Sequence, residues 1–373
     1  MSLGIKLKRG EPMGSKIKLG IVGCGMIAQH HLKHAMESEH ILVTAVADIR
    51  EQAARSTADK FGIPTVYTDP DELFANPEIE GVVLALQTKY RTELALKAFA
   101  QGKHVLLEKP AGMNAEEVRR MIEVRGELIA GCCSSRFRFF DSARAAAEFI
   151  QTGALGDIRV IRCRNIAPAA PPNAPPLPWQ YSRTVNGGGV LADWGVYDLD
   201  YILGILGWTL QPETVYGRKW NVAPPYESYI APESDAETHV VAMIGCSGGA
   251  VIHFERGAMI PGNREHAWQI VGTKGTLDLY LLPSEEKEIV FHEAVTEEGV
   301  VRHTIWKGAD TWSGVHAGPI SDFAASIRDR RQPGTNLENA WTIQSIIDSI
   351  YASSDTGKLS IIAGRTGGMF DEH

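Results

Sequence analysis

The sequence predicts an α/β fold: a doubly wound parallel sheet at the N-terminal end, then an α+β domain built on a large, mostly antiparallel open sheet. Three observations carry this expectation. Apolar runs that read as buried parallel strands recur early, at Leu19-Gly20-Ile21-Val22, Ile41 to Ala47 and Val82 to Leu86. Helical stretches separate them, and parallel neighbours need such crossovers. From Leu210 to Trp306, by contrast, short strands with one-sided alternation are divided by Gly-rich or polar turns, as in an antiparallel sheet with one face on a core. At 373 residues the chain suits two domains, at 16-134 and 135-367, with a flexible leader over 1-15 and a tail over 368-373.

The first strand ends in Gly23-Cys24-Gly25-Met26-Ile27-Ala28, a G-x-G-x-x-A turn that opens a helix. Gly23 permits the sharp exit, Gly25 lets backbone approach a pyrophosphate, and Ala28 lets the helix pack closely on the sheet. The helix N-terminus, with unpaired N–H groups around Met26 and Ile27, then faces the phosphates. Asp48 ends the next strand, at the spacing of the carboxylate that binds the adenosine ribose diol. This is the dinucleotide-binding, or Rossmann, version of the parallel sheet. Asp48 favours NAD by repelling a 2'-phosphate. Arg50, two residues on, could grip that phosphate, which keeps NADP open.

Further along, Ala53, Ala54, Ala58 and Phe61 recur at helical spacing, and Gly62-Ile63-Pro64 ends that helix. A short strand comes next at Thr65 to Tyr67, and Asp69-Pro70 starts another helix. A helix from Thr92 to Ala100 stops at Gly102, and Lys103 to Leu107 runs as a strand into Glu108-Lys109-Pro110. Ligands of such sheets sit at the carboxyl ends of the strands, which is where Glu108 and Lys109 fall.

The totals exclude several partners. A net charge of -8 without any Lys/Arg block speaks against nucleic acid, and no apolar run is long enough to span a membrane. The basic opening segment lacks the apolar core of a signal peptide, so a cytoplasmic location is expected. Five cysteines without a repeated spacing fit reduced thiols, with Cys132-Cys133 as small buried residues at a strand end. His239, His253, His266 and His303 show no ligand spacing, and no metal is expected. Sequence does not place His316, just before a helix, relative to any site.

The phrase Gly102 to Pro110, downstream of the glycine turn, resembles the signature of the glucose-fructose oxidoreductase and inositol dehydrogenase family, Gfo/Idh/MocA, and the likeness runs from Lys18 to about Ile362. It implies a lysine, here Lys109, between nicotinamide and substrate, and a cis Lys109-Pro110 bond. Two departures stand out. Leu86-Gln87-Thr88 and Arg91 replace the usual Thr-Pro-Asn and His in a loop that borders the nicotinamide in relatives, with Gln87 the candidate contact. The segment Met121 to Cys132 is also shorter than usual.

After a crossover at Ser134 to Phe140, where Arg136 matches an arginine common in relatives, a helix runs from Ser142 to Gln151 and a strand from Asp157 to Ile166. The proline-rich loop Pro168 to Pro178 cannot be regular structure; it reads as a substrate-side wall with Trp179 and Arg183 as contacts. Gly187-Gly188-Gly189 then opens a helix on which Asp193 and Tyr197 share a face, with Asp200 a turn beyond, so that three polar groups can face one site. The family usually has a catalytic histidine where this chain has Tyr197, and the branch that includes glucose-fructose oxidoreductase and dihydrodiol dehydrogenases carries tyrosine. Lys109 nearby would lower the pKa of that tyrosine. Near the C-terminus, Ile343, Ile346, Ile347, Ile350 and Tyr351 form the core stripe of a helix stopped by Gly357.

The resemblance thus implies an NAD(P)-dependent oxidoreductase acting on an aldose, inositol, sugar derivative or cyclic diol. Tyr197 would be the acid/base, assisted by Lys109 with Asp193, and the assembly a homo-oligomer, dimer or tetramer. The alternative is a regulator of the same fold that binds the dinucleotide without turnover.

Overall fold

The computed structural model describes residues 16–362; the expected leader over 1-15 and tail over 368-373 lie outside them. The first strands are short and apolar because both faces are covered. They are β1 (Ile17–Val22), β2 (Ile41–Ala47), β3 (Thr65–Tyr67), β4 (Gly81–Leu84), β5 (His104–Leu107) and β6 (Ala130–Cys132). All neighbours are parallel, in the order β3-β2-β1-β4-β5-β6. This order reverses direction between β1 and β4, and the crevice at that switch point is where such sheets take ligands. The crossover helices are α1 (Met26–Glu37), α2 (Glu51–Phe61), α3 (Pro70–Ala75), α4 (Thr88–Ala100) and α5 (Ala115–Arg125). α4 starts a turn earlier than expected, at Thr88, whose hydroxyl donates to Asn186 Oδ1 at 2.9 Å.

A 3-10 turn over Cys133–Phe139 leads out of β6 into α6 (Asp141–Gln151). Then come β7 (Ile158–Pro168), the short α7 (Arg183–Asn186), a π turn at Leu191–Gly195 and α8 (Val196–Ile205). The second sheet adds β8 (Pro212–Trp220), β9 (His239–Cys246), β10 (Val251–Ile260), β11 (Glu265–Gly272), β12 (Gly275–Asp278), β13 (Lys287–Val295) and β14 (Gly299–Gly308). The chain finishes with α9 (Ala317–Asp329), α10 (Leu337–Thr356) and β15 (Ser360–Ile361). The nine strands run β14-β13-β12-β11-β7-β10-β9-β8-β15, antiparallel except where β10 meets β7.

One face of this sheet packs on α6, α8 and α10 in a single apolar core. The other face carries exposed Tyr216 and Met243, paired across β8 and β9, and no described element covers it. α9 turns back to the first sheet, where Ile320, Phe323, Ala324 and Ile327 join the core under α1 and α2; Leu337 and Ala340 of α10 close the core under α4 and α5. The C-terminal helices therefore pin the two sheets together, and their exits set what overhangs the crevice. Among the described residues no helix is long and apolar enough to cross a membrane. All five cysteines are free and buried, with Cys132 at the end of β6 as anticipated.

Candidate active site

The crevice begins at the glycine turn. Gly23 has φ +92°, and a Cβ there would meet the Ala85 carbonyl oxygen at 2.5 Å, so only glycine fits. At Gly25 nothing lies within 4 Å of the Cβ position, which leaves the backbone open to a ligand, and α1 starts there without a side-chain cap. Met26 is exposed, Ile27 half-buried, and Ala28 fully buried against the sheet.

Asp48 closes the far side of this cradle. The Cys24 N–H donates to Asp48 Oδ2 at 2.9 Å and the Arg50 N–H to Oδ1 at 2.9 Å. Burial works to raise the pKa of Asp48, but these bonds and the Arg50 guanidinium outweigh it and hold the carboxyl below its ordinary value. Arg50 is folded back on Asp48, with Nε 3.3 Å from Oδ1. Open backbone at Gly25, an uncapped helix end and an ionised carboxylate together fit a dinucleotide diol and pyrophosphate.

At the carboxyl end of β5 the Lys109-Pro110 bond is cis. Lys109 Nζ donates to the Asp193 carbonyl at 2.8 Å and to Asp193 Oδ1 at 2.5 Å, and it lies 5.0 Å from the Tyr197 ring centroid. Lys109, Asp193 and Tyr197 are thus brought together, with the lysine supplied by the first sheet and the other two by the segment after the triple glycine. Those glycines are needed for close approach: a Cβ at Gly189 would meet the Glu237 carbonyl oxygen at 1.8 Å. The buried Glu237 carboxylate accepts the N–H groups of Gly189 (3.1 Å) and Leu191 (3.0 Å), capping the helix that presents Asp193.

Two expectations are corrected. First, the pKa of Tyr197 is not lowered: the Lys109 ammonium lies over the ring and is paired with Asp193. Burial, at 1 % exposure, pushes the hydroxyl well above the ordinary value, and the cation acting in the lowering direction is Arg136, whose guanidinium carbon sits 4.0 Å from the ring centroid. Second, Asp200 does not face the site. The π turn at Leu191–Gly195 inserts an extra residue and rotates the rest of the helix by about 100°. Asp200 is fully buried and accepts from Ser134 Oγ at 2.6 Å, Arg138 Nε at 2.6 Å and Thr335 Oγ1 at 2.8 Å. It ties the crossover, α8 and the loop before α10. Asp200→Ala, which strands Arg138, is expected to cost about 3–5 kcal/mol in chemical denaturation; a loss under about 1 kcal/mol would contradict this role.

Other expected residues spread around this centre. Gln87 is exposed at the start of α4, past the end of β4. Glu108 turns inward, with Oε1 2.9 Å from His31 Nε2 and Oε2 accepting the Lys109 N–H at 3.0 Å. Trp179 stands 38 % exposed on the proline-rich loop. Arg183 instead reaches over the Tyr351 ring at 5.3 Å and toward Asp355 at 3.9 Å.

Sequence reasoning passed over several neighbours. Trp194 stacks against Phe137 (6.5 Å) and meets Tyr197 edge-on (5.7 Å). Arg256 lies 4.7 Å from the Trp194 ring and donates to both Asp198 oxygens at 3.1 and 3.2 Å. Burial raises Asp198 to about 6 against that pull. Arg256 occupies the inward face of β10 with Ile252 and Phe254, and a charge at that alternation is the signal that could have found it. The half-buried Tyr181 feels the charges of Asp193, Glu237 and Arg256. His316 stacks on His30 at 4.7 Å, and burial with Arg136 nearby drives its pKa down to about 3.

His31, Glu108 and Cys133 bring potential ligand atoms within 4.8 Å of one another. The thiol is pushed well up by burial, and Arg91 and Arg136 act on it as neighbouring cations, so a dication would meet two guanidinium groups. The grouping is a hydrogen-bonded pair beside a neutral thiol.

Comparison with known proteins identifies the family and agrees with the fold. Residues 17–128 match the profile described as "Oxidoreductase family, NAD-binding Rossmann fold", and residues 143–278 match the GFO/IDH/MocA C-terminal domain. The chain is 27% identical to myo-inositol 2-dehydrogenase of Thermotoga maritima over 264 residues, covering 70% of this chain and 74% of that protein. It is 30% identical to trans-1,2-dihydrobenzene-1,2-diol dehydrogenase of Mus musculus over 273 residues, covering 71% and 75%. A solved levoglucosan dehydrogenase, in complex with NADH and levoglucosan, superposes with a TM-score of 0.80 at 20% identity, covering 93% of this chain and 100% of that one, a likeness of fold. The chain belongs to the GFO/IDH/MocA family of oxidoreductases, with an NAD-binding Rossmann domain at its N-terminal end.

Proposed function

We propose that the protein oxidises a secondary alcohol of a polyhydroxylated ring, a sugar, an inositol or a cyclic diol, and reduces the matching ketone in reverse. The carrying observation is the joint placement of Lys109, Asp193 and Tyr197 at the carboxyl end of the parallel sheet, beside an open dinucleotide cradle. Relatives named for inositol and diol oxidation support the substrate class. NAD would be held at Gly23 to Ala28 and Asp48 and would supply the hydride acceptor.

Lys109 and Asp193 present a fixed donor and acceptor to a substrate hydroxyl pair, and Tyr197 carries the hydroxyl proton. Trp194, half-buried beside Tyr197, offers an apolar surface against which the C–H side of a ring can lie. Arg136, over the Tyr197 face, stabilises the phenolate that forms when the proton leaves. A substrate deuterated at the reacting carbon should pass deuterium to the cofactor; reduced cofactor carrying protium alone would defeat this reading.

Asp48 sets cofactor preference. Asp48→Ala removes two charge-assisted bonds to the ribose diol and frees Arg50, so kcat/KM with NAD should fall about 10–100-fold while NADP gains. Unchanged preference in parallel assays with both cofactors would contradict that role. The uncovered face of the nine-stranded sheet, with Tyr216 and Met243 exposed toward its β8 end, supports a homo-oligomer, and the free buried thiols fit a reducing, cytoplasmic setting.

A further inference from the structure

We propose that Arg91 is a positioning residue of the reaction: together with Glu108 it grips the backbone on either side of Lys109 and so fixes where the lysine ammonium falls. The proposal rests on Lys109 acting in the chemistry.

Arg91 lies in the first turn of α4 and is only 3 % exposed. Its guanidinium donates to the Pro110 carbonyl and, at 2.5 Å, to the Leu86 carbonyl. Leu86 comes after β4 and Pro110 after β5, and these strands are neighbours in the sheet. One planar fork therefore ties together the two loops that border the crevice. From the other side, Glu108 Oε2 accepts the Lys109 N–H at 3.0 Å, while its Oε1 is fixed 2.9 Å from His31 of α1. The N–H of Lys109 and the carbonyl of the next residue are thus held by side chains of opposite charge.

A fully buried guanidinium is costly unless its bonds and charge are matched. Two carbonyls and the Glu108 charge supply part of that match, while Arg91 Nε is buried with no hydrogen-bond partner among the described residues. Among the described residues no hydrogen bond or ion pair joins Arg91 to the Lys109 side chain, so the influence passes through the backbone. With both ends of the peptide fixed, the flexible lysine stem has only to meet the two Asp193 oxygens, at 2.8 and 2.5 Å. Lysine at position 91 would keep the charge but carry its donors on one nitrogen, without the planar fork that meets the two carbonyls from separate nitrogens.

The test compares Arg91→Met, Arg91→Lys and the double variant Arg91→Met/Glu108→Gln, which removes both buried charges and so keeps the core neutral. Turnover, NADH affinity by fluorescence, and the acetylation rate of Lys109 by N-hydroxysuccinimide acetate, read by peptide mass spectrometry, are measured on each. In Arg91→Met, kcat should drop about a hundredfold, the cost of a misplaced group, while NADH affinity holds within about threefold. Arg91→Lys should recover part of the loss. Lys109 should acetylate several-fold faster in Arg91→Met than in the parent protein, the other lysines unchanged. Unaltered kcat, a parallel fall of kcat and NADH affinity, or unaltered Lys109 acetylation overturns the proposal. If Arg91→Met does not fold, the double variant gives the same readings. If the parent protein turns over no alcohol, the acetylation rates still decide the grip on Lys109, and only the proposed function fails.

Discussion

Lys109→Met is expected to lower turnover about a thousandfold while NADH still binds, because the substitution removes the cation paired with Asp193 and leaves the dinucleotide cradle untouched. The methionine stem keeps the packing over the Tyr197 ring, so the fold should survive. What is lost is the donor that, with Asp193, orients the substrate oxygens. Asp193 is left partly buried without its partner, which further disfavours an ordered substrate. Steady-state rates paired with NADH fluorescence titration read the split directly. Retention of more than roughly a tenth of the parent kcat would count against a role for Lys109 in the chemistry.

The second large effect concerns pH. Burial keeps the Tyr197 hydroxyl protonated far into the alkaline range, with Arg136 opposing it only in part. In the direction of ketone reduction the proton donor is therefore ready at neutral pH, and the rate should be flat there. In alcohol oxidation the acceptor is the phenolate, whose share grows about tenfold per pH unit below its pKa. Oxidation should accordingly climb through neutrality into alkaline solution. Tyr197→Phe should lower kcat about a hundredfold and flatten that rise. An oxidation rate that peaks near neutrality, or a slope that persists in Tyr197→Phe, would remove the tyrosine from proton transfer.

Local spacing made much of this legible beforehand. Gly23, Gly25, Ala28 and Asp48 lie within one strand-helix-strand unit, where each residue type answers to a single geometric demand, and the structure assembles them as the spacing implied. Glu108-Lys109-Pro110 was legible as a strand end. Strand β14 was harder to delimit, since none of its residues is buried and the alternation is blurred. The return of α9 to the first sheet was not legible at all, because Phe323 and Ile327 make an ordinary apolar stripe whose partner only the fold determines.

The site failed to be legible where long-range placement decides the chemistry. Helical periodicity put Asp200 on the face of Asp193, and one π turn moved it to a structural knot with Arg138. The proton affinity of Tyr197 depends on its complete burial and on Arg136, which arrives from another segment. Arg91 read only as a departure from a familiar loop, yet its carbonyl partners lie on two different strands' ends.

The most direct test tracks nicotinamide absorbance when NAD is offered with inositols, aldoses and cyclic diols, in the parent protein and in Lys109→Met side by side. The account predicts that at least one ring polyol or diol reduces NAD in the parent protein, and that the same reaction all but disappears in the variant although both bind NADH. NADH binding without turnover of any such alcohol, or equal turnover in the two proteins, would contradict it and point to a dinucleotide-binding protein that does not use this site for catalysis.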